Sequence, residues 1–281
     1  MQISNMIDLA FGGEFPNGKV VEVYGESESA KSMLGLSFAK AYGDDGLETL
    51  YLDVNGGLTQ SNFTDAGIKR VTWARPGSSE EAFEIVRSIS QHVDLIIIDT
   101  VAGLSSQHES AGKSYRGLVN GALRRVMAIA KDNVCFRNSG TIIILNQAYR
   151  GKHGLVTSAE KSLSRYVDIR IETKTIFKRA TEHLIGLDIT RTTVPVLLQK
   201  FRMLIVPGEW YSVGDSMYYL LGSKKLSRTK GQGMVLRSGL SIAGQSEWES
   251  KAEAVSFFDI VPVEAWIKLF HDYYGKDAGY L

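Results

Sequence analysis

Between residues 19 and 172 short apolar runs alternate with amphipathic stretches. The runs VVEVY (20–24), TLYLD (49–53), VTWA (71–74), DLIIID (94–99) and TIIILN (141–146) are short, rich in β-branched residues and bounded by Gly, Asp or Asn. That is the signature of strands buried on both faces. Helical spacing lies between them. A helix is predicted over 31–42, with Gly43 as the residue after its end. Another spans 78–90, opening on Ser-Ser-Glu-Glu, an N-cap followed by first-turn acids. A longer one covers 113–131. Strands alternating with helices predict an α/β fold, a mostly parallel sheet with helices on both faces. After Arg165 the pattern changes. YVDIRIE (166–172), HLIGLDITR (183–191) and KFRMLIV (200–206) are strand-like with no long helix between them, which predicts an antiparallel extension at one edge. From residue 208 the chain carries Trp210, Trp248 and Trp266 and an amphipathic helix near 262–274. Residues 1–207 therefore read as the core and 208–281 as a small C-terminal region.

Composition narrows the class. With 44% hydrophobic and 22% charged residues in 281, the chain is of the globular kind rather than the disordered kind. Its 32 Lys+Arg against 31 Asp+Glu give a net charge of +1, so any nucleic-acid surface has to be local. The single Cys135 excludes an intrachain disulfide and points to a reducing compartment. No signal-peptide pattern opens the sequence, and no stretch approaches the roughly 20 apolar residues of a membrane span. The expected location is cytoplasmic. His92, His108, His153, His183 and His271 are scattered without metal-ligand spacing, and neither a nucleophile elbow nor a Rossmann fingerprint occurs.

The chemistry sits after the first run. Gly25-Glu26-Ser27-Glu28-Ser29-Ala30-Lys31-Ser32, followed by Met33, joins a strand to a helix as a phosphate loop does. Its backbone N–H groups and the helix N-terminus form an anion nest. Lys31 would reach the β- and γ-phosphates and Ser32 would ligate Mg²⁺. Ala30 replaces the glycine that ordinarily precedes the lysine. If that position needs positive φ, the Cβ costs about 1 kcal/mol. The second motif, VDLIIID (93–99), is an apolar strand ending in Asp99, which would support the metal through water.

The order of motifs resembles the RecA-type recombinases, including the UvsX-like members of phages. MIDLAFGGEFPNGKVVEVYGESESAKS is similar to the segment that leads into their ATP-binding strand. TLYLDVNGGL, WARPGSSEEAFEIV, VDLIIIDTVAGL, IIILNQAYRGKHG, AEKSLSRYVDIRIE and ITRTTVPVLLQKFRM resemble successive family segments, so the likeness runs from about residue 3 to 206. It implies ATP and Mg²⁺ as cofactors, held by Lys31, Ser32 and Asp99. It also implies that Gln147 senses the γ-phosphate, that Arg191 acts in trans on a neighbour's ATP, and that Phe63 or Asn62 lies beside the adenine. Two departures stand out. The family's second strand ends Asp-x-Glu, whose Glu is the general base for water, whereas here Asp53-Val54-Asn55 offers an amide. An amide orients water but takes no proton, a loss of typically 10²–10⁴-fold, so slow hydrolysis is expected. The chain also begins almost at the core, which puts filament assembly through an N-terminal segment in doubt.

Residues 133–159 contain no acid and include Arg137, Arg150, Lys152 and His153. The resemblance places the second DNA loop at 148–158, where Tyr149 can stack on bases. It places the first near 105–115, with Lys113 and then Arg116. Another acid-free stretch, 216–246, carries Lys224, Lys225, Arg228, Lys230 and Arg237. Binding mostly to phosphates would be salt-sensitive and sequence-independent.

Three functions follow. One is a compact recombinase of the phage kind, binding single-stranded DNA with ATP as a homo-oligomer or filament and promoting pairing and strand exchange. Another is a catalytically weak paralogue that forms a hetero-complex with another recombination or replication protein. The third is a ring-forming motor, against which Asn55 counts.

Overall fold

The computed structural model describes residues 6–104, 115–152, 154–157, 160–180, 182–206, 213–222, 226–228, 234–236 and 241–274. The first half of the chain runs α1 (Met6–Ala10), β1 (Val20–Gly25), α2 (Lys31–Asp44), β2 (Thr49–Asp53), α3 (Gln60–Thr64), β3 (Val71–Ala74), α4 (Ser79–Ile89), β4 (Leu95–Asp99) and α5 (Tyr115–Ala130). Then come β5 (Thr141–Gly151), β6 (Gly154–Thr157), α6 (Glu160–Leu163), β7 (Ile169–Lys178), β8 (His183–Arg191) and β9 (Lys200–Ile205). Finally there are α7 (Val213–Gly222), β10 (Leu226–Arg228), β11 (Met234–Leu236), β12 (Glu247–Trp248), α8 (Lys251–Ile260) and α9 (Val263–Tyr274). The main sheet has the order β3-β2-β4-β5-β1-β7-β8-β9, with β6 paired to β5. The α/β class is as expected, and no helix among the described residues is long and apolar enough to cross a membrane.

The chain divides into two compact units. One comprises Asn17–Lys174 with Thr190–Thr193, and the other the remaining segments. In the first unit β1 lies between β5 and β7, parallel to both, and β2 lies between β3 and β4, again parallel. Strand alternation sorts the side chains. Val20, Leu50, Leu52, Ile96, Ile98, Ile142 and Ile144 face Ala82 and Val86 of α4 and Leu123, Val126, Met127 and Ala130 of α5 in one buried cluster. Tyr51, Ile97 and Leu145 crowd the Gly35 backbone of α2 instead. Apolar residues at every position of a strand are what a sheet covered on both faces requires.

In the second unit β8 and β9 are antiparallel. The carbonyl of Ala10 in α1 accepts from the Leu197 N–H at 2.6 Å. The Ser216 hydroxyl of α7 accepts from the Leu204 N–H at 2.9 Å. Trp266 is fully buried with its ring 5.3 Å from Phe258, and Phe258 lies 5.0 Å from Trp248.

Three sequence expectations need correction. Gly43 lies inside α2, where a Cβ would run into the Lys69 carbonyl, so its role is close packing. The terminating glycine is Gly46, at φ +81, and Leu47 N and Gly46 N donate to Tyr42 O and Gly43 O in a Schellman arrangement. The helix expected over 113–131 continues past Ala130 into a π-helical stretch, Lys131–Arg137. Most consequentially, β5 does not stop at Asn146 but runs on to Gly151. Residues expected in a loop over 148–158 instead pair antiparallel with β6, Ala148 opposite Thr157 and Tyr149 opposite Val156.

Candidate nucleotide site

The site is built where the C-terminal ends of β1 and β4 and the middle of β5 meet the N-terminus of α2, the place at which open α/β sheets take ligands. At Gly25 the backbone passes so close to Thr173 and the Ser29 hydroxyl that a Cβ would collide with both. Thr173 Oγ1 donates to Ser29 Oγ at 2.7 Å and pins the loop to β7. Beyond Ser29 the chain turns into α2 through Ala30, at φ 60 and ψ 23. The left-handed position anticipated before the lysine is therefore real and carries a Cβ. Glu28 is also left-handed, at φ 59. Alternation of this kind turns successive N–H groups inward and makes an anion-binding concavity. No acid lies in the first turn of α2, so its positive end is unopposed there.

Lys31 is buried, and Nζ donates to Gly25 O at 3.1 Å, Glu26 O at 2.7 Å and Ser29 Oγ at 3.3 Å. Burial lowers its pKa, and the charge of Asp99 opposes that shift. Asp99, at the end of β4, accepts from the Tyr51 hydroxyl at 2.9 Å. Burial raises its pKa, while hydrogen bonds from Ser32 and Tyr51 pull it back towards the ionised form. Tyr51 is itself held well above its ordinary value, first by burial and then by the Asp99 charge, and so remains a donor. Asp53 stands opposite Asp99 in register, but its oxygens are taken by Gly57 N, Leu58 N and Arg75 Nε. Of the two adjacent carboxylates only Asp99 faces the cleft.

Residues 27–33, Asn55, Asp99, Thr100 and Gln147 line that cleft together. Asn55 Nδ2 donates to Thr100 Oγ1 at 3.1 Å, and Gln147 lies opposite Gly25 in the β1–β5 register. The donor set suits a nucleotide triphosphate with Mg²⁺: a nest, a buried ammonium, and a hydroxyl–carboxylate pair for a hard cation. Phe63 does not reach the cleft. It is 1% exposed, with its ring 5.6 Å from Tyr51 and 5.5 Å from Trp73, so it serves the core. Asn62 caps α3, its Oδ1 accepting from Thr59 N at 2.7 Å.

Tyr149, Arg150 and Lys152 are exposed on the hairpin of β5 and β6. Arg150 Nε donates to Glu26 Oε1 at 2.8 Å, tying the hairpin to the phosphate loop. Arg191 ends β8, exposed, and donates to Ser164 O at 3.3 Å. Arg116 lies on α5, whereas Lys113 and His153 fall outside the described residues, as do Lys224, Lys225, Lys230 and Arg237. Sequence reasoning passed over Tyr51, Thr100 and Thr173. For Tyr51 a signal existed, since it stands two residues before Asp53 and period-2 alternation puts it on the Asp99 face once β2 and β4 are paired.

A mostly parallel sheet with a phosphate loop after β1 and an acidic β4 end defines an α/β protein of the phosphate-loop class. The family model described as the RecA N-terminal domain matches residues 2–201. The chain belongs to the RecA family. It is 28% identical over 215 residues to Protein RecA of Mesomycoplasma hyopneumoniae (strain 232), which covers 72% of this chain and 62% of the relative. It is 30% identical over 195 residues to Protein RecA of Synechocystis sp. (strain ATCC 27184 / PCC 6803 / Kazusa), covering 64% of this chain and 55% of the relative. The chain thus spans less than two thirds of the length of these curated relatives.

Proposed function

We propose that the protein is a DNA recombinase that binds single-stranded DNA in an ATP- and Mg²⁺-dependent manner, assembles on it with further copies of itself, and promotes pairing and strand exchange. One observation carries this reading. The strand that brings Gln147 to the nucleotide cleft continues unbroken into the hairpin bearing Tyr149, Arg150 and Lys152. Phosphate sensing and base or backbone contact would thus be two to five residues apart on one hairpin. Lys31 and the 25–32 backbone would hold the phosphates, and Ser32 with Asp99 would hold Mg²⁺. The bound Mg²⁺ would supply charge neutralisation at the phosphates. Gln147 would report their presence to the hairpin, and Arg191 would serve a neighbouring copy. Asn55 hydrogen-bonds Thr100 and can orient water but cannot deprotonate it, so nucleotide acts chiefly as an assembly ligand and turns over slowly.

Asn55 and the left-handed Ala30 also favour a second reading, a weak paralogue that serves as partner to an active recombinase. Anisotropy of a labelled dT oligonucleotide at low salt, with and without ATP and Mg²⁺, tests the first reading. Nucleotide-stimulated binding that falls steeply with salt is expected. No stimulated binding would sink it and leave the partner role.

A further inference from the structure

β1 reads Val-Val-Glu-Val-Tyr, and the position held by Glu22 shares its face with Val20, Ile142 and Ile144 in the buried cluster. Glu22 is nevertheless 2% exposed and charged. Burying a carboxylate is costly, and an apolar residue of similar volume would commonly give as much stability. What the carboxylate does instead is hold two things. Oε1 accepts from Asn146 Nδ2 at 2.8 Å, and Oε2 accepts from Arg170 Nε at 2.6 Å. Arg170 then spends the rest of its fork on the other side of the hairpin. Nη2 donates to Thr157 Oγ1 at 3.3 Å, and Nη1 meets Glu160 at 3.4 Å. Its Cζ lies over the Tyr24 ring, 4.6 Å from the centroid.

Asn146 immediately precedes Gln147, where the hairpin leaves the sheet, and Thr157 ends β6, where it returns. Both feet of the hairpin are therefore fastened, within two bonds, to one carboxylate on the strand that ends in the phosphate loop. A lysine could supply the charge but not the fork, which is why a guanidinium is needed.

We infer that Glu22 and Arg170 form a clamp that fixes the attitude of the hairpin relative to the phosphate loop, and that both are positioning residues for nucleotide-dependent DNA binding. The clamp rests on the reading of the hairpin as the DNA contact, but its physical content is separable. It states that the hairpin's order depends on the Glu22–Arg170–Thr157 chain of bonds.

The test compares wild type with Arg170→Gln, Glu22→Gln and Thr157→Val. The last cuts only the hairpin link and leaves the buried ion pair, so it folds even if the others do not. Hydrogen exchange in nucleotide-free protein is measured on amides 148–157 and, as an internal control, on 95–99 of β4. Exchange of the hairpin amides is expected to rise about tenfold or more in Thr157→Val while the β4 amides stay at wild-type rates. In the same proteins, the ratio of dT-oligonucleotide affinity with and without ATP and Mg²⁺ is expected to fall towards 1. Unchanged hairpin exchange in Thr157→Val and in whichever of the other two folds would overturn the clamp. A fall in melting temperature with hairpin and β4 exchange rising together would also overturn it, because that is general loosening. If wild type binds no DNA in either state, the functional reading fails while the exchange comparison still decides the clamp.

Discussion

The Nε of Arg150 on the hairpin lies 2.8 Å from Glu26 Oε1 on the phosphate loop, so a cation expected on DNA is occupied by an acid of the same chain. Both side chains are exposed, at 85% and 51%. On the proposed DNA-binding reading, Glu26 competes with DNA phosphate for Arg150. Glu26→Gln should raise nucleotide-free affinity for a dT oligonucleotide about threefold in low salt, and high salt should erase the gain. Arg150→Gln should weaken binding and remove the effect of Glu26→Gln. Additive effects in the double variant would show that the pair does not matter.

Tyr51 is the buried donor to Asp99, and the absence of a Cβ at Gly35 leaves room for its hydroxyl. Gly in a helix interior costs up to about 1 kcal/mol against Ala, so the clearance is not free. Tyr51→Phe should reduce stability by about 2 kcal/mol, the usual effect of losing a hydrogen bond to a buried charge. It should also raise the Mg²⁺ concentration needed for tight binding of a fluorescent ATP analogue. A Mg²⁺ titration superimposable on wild type would refute the second part.

At Ala30 the Cβ sits in a left-handed conformation, φ 60. Ala30→Gly removes a penalty of about 1 kcal/mol in the native state and adds some unfolded-state entropy. The net expectation is a melting temperature raised by a degree or more together with tighter ATP binding. A lower melting temperature would mean that the strain is not where the geometry places it.

On the proposed reading, Asn55→Glu supplies a general base beside Thr100, whose hydroxyl can rotate from accepting to donating. DNA-stimulated ATP turnover should rise by at least about 10²-fold over wild type. Turnover near zero in both proteins, despite normal ATP binding, would locate the defect elsewhere than the base.

Cys135 is 5% exposed, and burial pushes its thiol up to about 11. The thiolate is the reactive form, so at pH 8 native protein should label with iodoacetamide far more slowly than denatured protein. Equal rates would contradict the burial.

Five of the six parallel strands, β1 to β5, were legible because their buried runs are short, mostly apolar and punctuated by Gly, Asp or Asn, whereas β7, expected in the antiparallel extension, pairs parallel with β1. β2 and β3 came out residue for residue, although β3, expected to be buried, is an edge strand that is only partly covered, and Ser78 caps α4 as its place in the sequence implied, accepting from Glu81 N at 3.1 Å. The continuation of β5 was not legible. Past Gln147 the partner changes from parallel β1 to antiparallel β6, and Gln-Ala-Tyr-Arg-Gly lacks the apolar character that marks the buried part. Gly43 was misplaced for a related reason. A glycine near a helix end signals termination, and only the approach of Lys69 explains why it stays inside. The phosphate loop and Asp99 were readable as motifs. The Glu22 network was not, because its hydrogen bonds join residues 124 and 148 positions apart.

Those separations also bear on how the molecule comes to exist. β1 is made early yet lies between β5 and β7, so the strand that carries the phosphate loop has no neighbour until residues 141–147 have been synthesised and lacks its second until 169–173 have. Until then VVEVY keeps an open, mostly apolar edge, the kind of segment on which newly made chains stick to one another. Maturation of the nucleotide site is therefore a late event governed by topology, and nascent chains halted before β7 should be the species that chaperones hold.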